Sequence, residues 1–91
     1  MLAALQGEQA WVAGYWQEDV LLGYALLVRL PFDAELQAIG VSPEAQGQGV
    51  GRQLLDACVA VARQWSSERL LLEVRAGNQR AIALYRRAGF A

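Results

Sequence analysis

Apolar positions along the chain follow two periods. Trp11 to Trp16 is a short apolar and aromatic run that reads as a strand. Gln17-Glu18-Asp19 is a polar turn, and Leu21 to Leu30 is a second, longer apolar strand, so the pair predicts a hairpin. Pro31 closes it, because proline has no N–H to give to a ladder. Phe32-Asp33 turns into a third strand over about Glu35 to Val41, whose apolar positions run Leu36, Ala38 and then slip to Ile39 and Val41. A slip of phase predicts a β-bulge, which leaves backbone groups unpaired. The period then becomes helical from about Gly49 to Gln64, and Leu54, Leu55, Cys58, Val61, Ala62 and Trp65 form the buried face. Leu70 to Val74 is a nearly continuous apolar run, as in a strand covered on both faces. Strand, helix, strand makes a right-handed βαβ unit. Asn78 is placed to N-cap a last helix and Gly89 to end it.

Composition narrows the classes. Ninety-one residues, 55% of them apolar, make one small domain spanning residues 1–91. No apolar run reaches the eighteen or more residues of a membrane span, and the first residues lack the basic and apolar regions of a secretory signal. The single cysteine, Cys58, allows no internal disulfide, so a reduced, cytoplasmic setting is the expectation. The chain has no histidine, which excludes a His-dependent triad and, with one cysteine, a protein-ligated zinc site; no metal is expected. Charge is uneven: residues 1–46 hold six acids and one arginine, residues 47–91 three acids and seven arginines. A positive second half suits a polyanionic small ligand. The arginines are dispersed without interleaved aromatics, so no nucleic-acid surface is expected.

That positive half opens on Gln46-Gly47-Gln48-Gly49-Val50-Gly51-Arg52, between the third strand and the helix. Alternate glycines let a backbone come close to a partner, and the helix start offers free N–H groups and a positive dipole end, so the segment reads as an anion site suited to phosphate. A Walker loop is excluded because the chain contains no lysine. The dinucleotide fingerprint fails on spacing and on the missing acid after a second strand. A plain Gly-rich turn is the competing reading at this point. Gln46, Gly49 and Gly51, as Gln-x-x-Gly-x-Gly, resemble the acetyl-coenzyme-A loop of the GNAT N-acetyltransferase superfamily. The resemblance continues through Glu73-Val74-Arg75, Asn78, Ala83-Leu84-Tyr85 and Ala88-Gly89-Phe90, and is strongest to the bacterial ribosomal-protein-alanine N-acetyltransferase branch.

The resemblance implies an α+β fold with a mixed sheet in the order β-β-β-α-β-α. It implies a chain shorter than the family pattern at both ends, without the opening strand, the acceptor-side helices and the last two strands. Its edge at Leu70–Val74 would then be open to pair with a second copy. It implies acetyl-CoA as co-substrate and a primary amine as acceptor, most naturally a protein N-terminus such as a ribosomal-protein alanine. Acetylation of a small-molecule amine, or coenzyme binding without turnover, are the alternatives. The loop residues Gln46 to Arg52 would hold the pyrophosphate, the backbone of Ile39, Gly40 and Val41 the pantetheine arm, and Asn78 a further part of the coenzyme.

Two residues carry candidate chemistry. Glu73 is a carboxylate inside an apolar strand, where partial burial raises a pKa; by position alone the favoured reading is a solvated strand end or a partner of Arg75 or Arg80. Tyr85 by position is a core or rim aromatic. The resemblance makes Glu73 the group that takes the amine's proton and Tyr85 the group that serves the departing thiolate.

Overall fold

In the computed structural model, residues 1–72 and 83–86 are described. Among them, five strands form one mixed sheet in chain order, β1 (Leu2–Gln6), β2 (Ala10–Gln17), β3 (Val20–Arg29), β4 (Ala34–Val41) and β5 (Leu70–Leu72). The first four are antiparallel to their neighbours, and β4 and β5 are parallel. Helix α1 (Val50–Gln64) makes the crossover between the parallel pair, as the βαβ pattern requires. The observed order is therefore β-β-β-β-α-β, followed by a helical turn at residues 83–86. The additional strand is β1, where the apolar pattern predicts none: all five of its residues are exposed, so burial imposes no alternation. It is fixed instead by ladder bonds to β2, in register from Leu2↔Tyr15 to Gln6↔Trp11.

Side-chain parity places the core on one face of the sheet. Trp11, Ala13, Ala25, Leu27, Ala34 and Leu36 meet Val50, Leu54, Leu55, Cys58, Val61, Ala62 and Trp65 of α1 and its end. Every apolar position assigned to the helix's inner face is buried. The phase slip in β4 is a bulge: Leu26 pairs with Ala38 but Leu27 pairs with Leu36, leaving Gln37 as the extra residue. It transfers the α1-facing set from Ala34 and Leu36 to Ile39 and Val41, which both pack on the core. The N-terminal end of β5 is stapled to that of β4 through Ala34 N–H to Arg69 O, 2.9 Å, and a two-pronged Arg69–Asp33 pair at 3.2 and 3.1 Å.

β4 pairs with β3 along its length up to Val41, but its described pairing with β5 ends at Leu36↔Leu72. At the far end of β4 a 3₁₀ turn, Pro43–Ala45, leads into the glycine loop. Strand end, loop and helix start thus meet at one edge of the molecule. Among the described residues no helix is long and apolar enough to cross a membrane.

Candidate functional site

The loop's shape follows from two glycines. Gly47 and Gly49 have φ of +85° and +84°, in the left-handed region where a side chain costs roughly 1–2 kcal/mol. A Cβ added at either would meet nothing within 4 Å. The space beside the loop is therefore open, and backbone geometry accounts for both glycines. Gly49 is the N-cap of α1, and its carbonyl accepts from Gln53 N–H at 3.0 Å. It offers no side chain to the helix start, and the first turn holds no acid. Among the described residues, the N–H groups of Gly47, Gly49, Val50 and Gly51 find no backbone acceptor. Four donors at a positive helix end, without an internal carboxylate, make a site that an external anion completes.

Gln46 and Gln48 brace this loop. Gln46 Nε2 donates to Val41 O at 3.2 Å, tying the loop to the last residue of β4. Gln48 Nε2 donates to Glu44 O at 3.0 Å, across the 3₁₀ turn. Arg52 donates to Asp56 at 3.0 Å, one turn along the helix, with both side chains exposed. It lies in the first turn of α1.

Gly51 has a different basis from the other two. A Cβ there would lie 3.2 Å from Leu84 and 3.4 Å from Val41. It has no positive φ. Its missing side chain lets α1, the end of β4 and the turn at 83–86 close on one another, a contact that no local pattern around Gly51 signals.

Through that contact Tyr85 comes to the same side of the sheet as α1. It is buried in the core cluster, with 7% of its surface exposed. Burial first, and the neighbouring Cys58 second, raise the pKa of its hydroxyl above the ordinary 10.0. The group is protonated at neutral pH, as an ordinary tyrosine is, and burial extends that range upwards. Cys58 is more strongly affected: burial pushes its thiol from 9.0 up to about 12, so it is a poor nucleophile. Glu73 and Asn78 lie outside the described residues.

Ile39, Gly40 and Val41 are half-buried at the section of β4 beyond its described pairing with β5. Gly40 is held for a reason that alternation does not reveal: Tyr24, directly opposite on β3, lies across it. A Cβ on Gly40 would sit 2.5 Å from Tyr24 Cε1. Gly23, opposite Val41, serves the other face, where a Cβ would meet Leu54 and Val50 of α1 at 3.0 Å.

The family model for "Acetyltransferase (GNAT) family" matches residues 2–90. The chain belongs to the GNAT acetyltransferase family. It is 46% identical over 74 residues to "N-alpha-acetyltransferase RimI" of Mycobacterium tuberculosis, a match covering 77% of this chain and 45% of that protein. It is 49% identical over 57 residues to "Mycothiol acetyltransferase" of Jonesia denitrificans, covering 63% and 18%. The solved ribosomal-protein-S18-alanine N-acetyltransferase of Escherichia coli superposes with a TM-score of 0.80 at 36% identity, over 92% of this chain and 54% of that one. The chain spans less than half the length of these two curated relatives. Their likeness makes the mixed sheet and its glycine loop a GNAT core.

Proposed function

We propose that this chain carries the donor half of an N-acetyltransferase, which moves an acetyl group from acetyl-CoA to a primary amine. The observation that carries this is the loop at the start of α1: around left-handed Gly47 and Gly49, four N–H groups find no backbone acceptor among the described residues, and the first helical turn has no acid. A diphosphate fits that donor set, since it brings two adjacent charges and several acceptor oxygens. Gln46 to Arg52 hold the pyrophosphate, and the backbone of Ile39, Gly40 and Val41 takes the amide-bearing arm. Asn78 supplies a further coenzyme contact.

The reaction is direct transfer. The amine nitrogen attacks the thioester carbonyl carbon, the carbon–sulfur bond breaks, and the thiolate leaves. Glu73 accepts the amine's proton, directly or through water. A main-chain N–H near Val41 polarises the carbonyl. Tyr85, a neutral hydroxyl at working pH, donates to the sulfur. The buried thiol of Cys58 stays outside the chemistry.

The acceptor is a protein N-terminus, such as the alanine of a ribosomal protein, and the setting is the cytoplasm. Support comes from the RimI relative, 46% identical over 77% of this chain, and from the S18-alanine N-acetyltransferase structure, 36% identical over 92% of it. A small-molecule amine is the second reading, favoured by the mycothiol acetyltransferase at 49% identity. A panel of acceptors incubated with acetyl-CoA separates them, read by mass shift and thiol release. Acetylation of N-terminal alanine peptides supports the first reading; acetylation confined to a small amine supports the second. Thiol release above background with neither would remove both.

A further inference from the structure

The catalytic proposal accounts for the α1 side of β4 and leaves its other face unassigned. On the α1 side, Val41 and Leu84 pack against the core cluster that holds Leu54 and Tyr85. The opposite face at the same level is dominated by Tyr24. Its ring crosses from β3 to the backbone of β4: a Cβ on Gly40 would be 2.5 Å from Cε1, 2.8 Å from Cζ and 2.9 Å from Oη. Gly40 is thus the recess that lets the ring lie down, with its hydroxyl above β4. One side of the ring is packed on the strand, yet the residue remains 48% exposed. Among the described residues its ladder neighbours on this face are uncharged, with Val12, Leu26 and Ala38 beside it and Trp16 towards the hairpin end.

We infer that Tyr24 is the acceptor-side specificity residue. This rests on the donor reading, because the thioester arm must run along Ile39 to Val41 for Tyr24 to stand beside the reacting carbonyl. An amine then approaches from the face that α1 does not cover. The ring offers a flat apolar surface for the chain bearing the amine, and the hydroxyl offers one donor and two acceptor positions for its neighbouring polar groups.

The test is steady-state kinetics of the full chain with acetyl-CoA and an N-terminal alanine peptide, for Tyr24→Phe, Tyr24→Ala and Gly40→Ala. Tyr24→Phe keeps the ring and is expected to raise the acceptor KM about three- to tenfold, the loss of one hydrogen bond. Tyr24→Ala raises it further, by at least about tenfold. Gly40→Ala, which evicts the ring without deleting it, falls between them. The Kd for acetyl-CoA, measured by calorimetry, stays within about twofold of wild type for Tyr24→Phe and Tyr24→Ala. Tyr24→Phe is isosteric apart from the hydroxyl, so a folded variant is available even if the others lose their melting transition. An unchanged acceptor KM in Tyr24→Phe and in a folded Tyr24→Ala would overturn the inference while leaving the donor site intact. Failure of wild-type protein to bind acetyl-CoA would instead remove the donor reading beneath it.

Discussion

Gly51 and Leu84 meet where helix α1 begins: a methyl group on Gly51 would stand 3.2 Å from Leu84 Cδ2. The third glycine of the loop is therefore a packing position, whereas Gly47 and Gly49 are set by their positive φ. The distinction separates two outcomes that the glycine spacing alone would merge. Gly51→Val forces two further methyl groups against Leu84 and Val41, and overpacking of this kind costs about 1–3 kcal/mol. The expected result is a thermal midpoint lowered by roughly 5–15 °C, with coenzyme binding weakened as a consequence. An unchanged midpoint would show that Leu84 does not close on Gly51.

Tyr85 is expected to act on rate. Tyr85→Phe removes the donor from a buried, neutral position and leaves the ring packed beside Cys58. The proposal predicts kcat lower by about ten- to a hundredfold with an unchanged Kd for acetyl-CoA, the pattern of an interaction made only in the transition state. Because the folded pKa lies above 10.0, wild-type activity shows no loss from this group below that pH. A kcat equal to wild type in Tyr85→Phe would take the hydroxyl out of the mechanism.

Cys58 gives a stability signature at high pH. Its thiol is neutral in the folded core up to about 12 but ionises near 9.0 when unfolded. A raised folded pKa contributes stability that is complete below 9.0 and is lost as pH rises from 9.0 towards about 12. The loss is at most about 4 kcal/mol. Tyr85 is raised in the same direction and adds to the slope. Denaturant midpoints measured across this window should fall steeply in wild type and less steeply in Cys58→Ala. Native protein should also resist thiol alkylation at pH 8. Rapid labelling of the folded protein would contradict the buried assignment.

Gln46 couples the loop to β4 through Val41 O. Gln46→Ala deletes that one exposed contact, so folding stability should change by less than about 1 kcal/mol. Acetyl-CoA affinity should fall about three- to tenfold, because the loop loses its brace to the strand. A calorimetric Kd matching wild type would show that the loop holds its shape without it.

Much of this was legible in residue order. The strand and helix limits read from periodicity differ from the observed ones by one residue at most ends, because α1 and the sheet share a single apolar face that dictates phase. A bulge in β4 was visible as a slip of phase, since burial on one face forces the register, but the pattern put the slip between Ala38 and Ile39 whereas the extra residue is Gln37, because a small Ala38 fits either face. Strand β1 was not visible, because an exposed edge strand carries no burial alternation. Nor were the separate duties of Gly23, Gly40 and Gly51. Each is set by a partner distant in sequence or on the opposite strand, α1, Tyr24 and Leu84 respectively, and a glycine has no side chain with which to announce the contact.

The donor site itself is tested most directly by calorimetric titration of acetyl-CoA into wild type and Gly49→Val. Gly49 has a φ of +84° and open space beside it, so valine strains the loop and occupies the approach to the N–H groups without touching the core. Saturable one-to-one binding to wild type, lost in a variant that still melts cooperatively, is the predicted result. Equal affinity in the two proteins, or no binding to wild type, would contradict it.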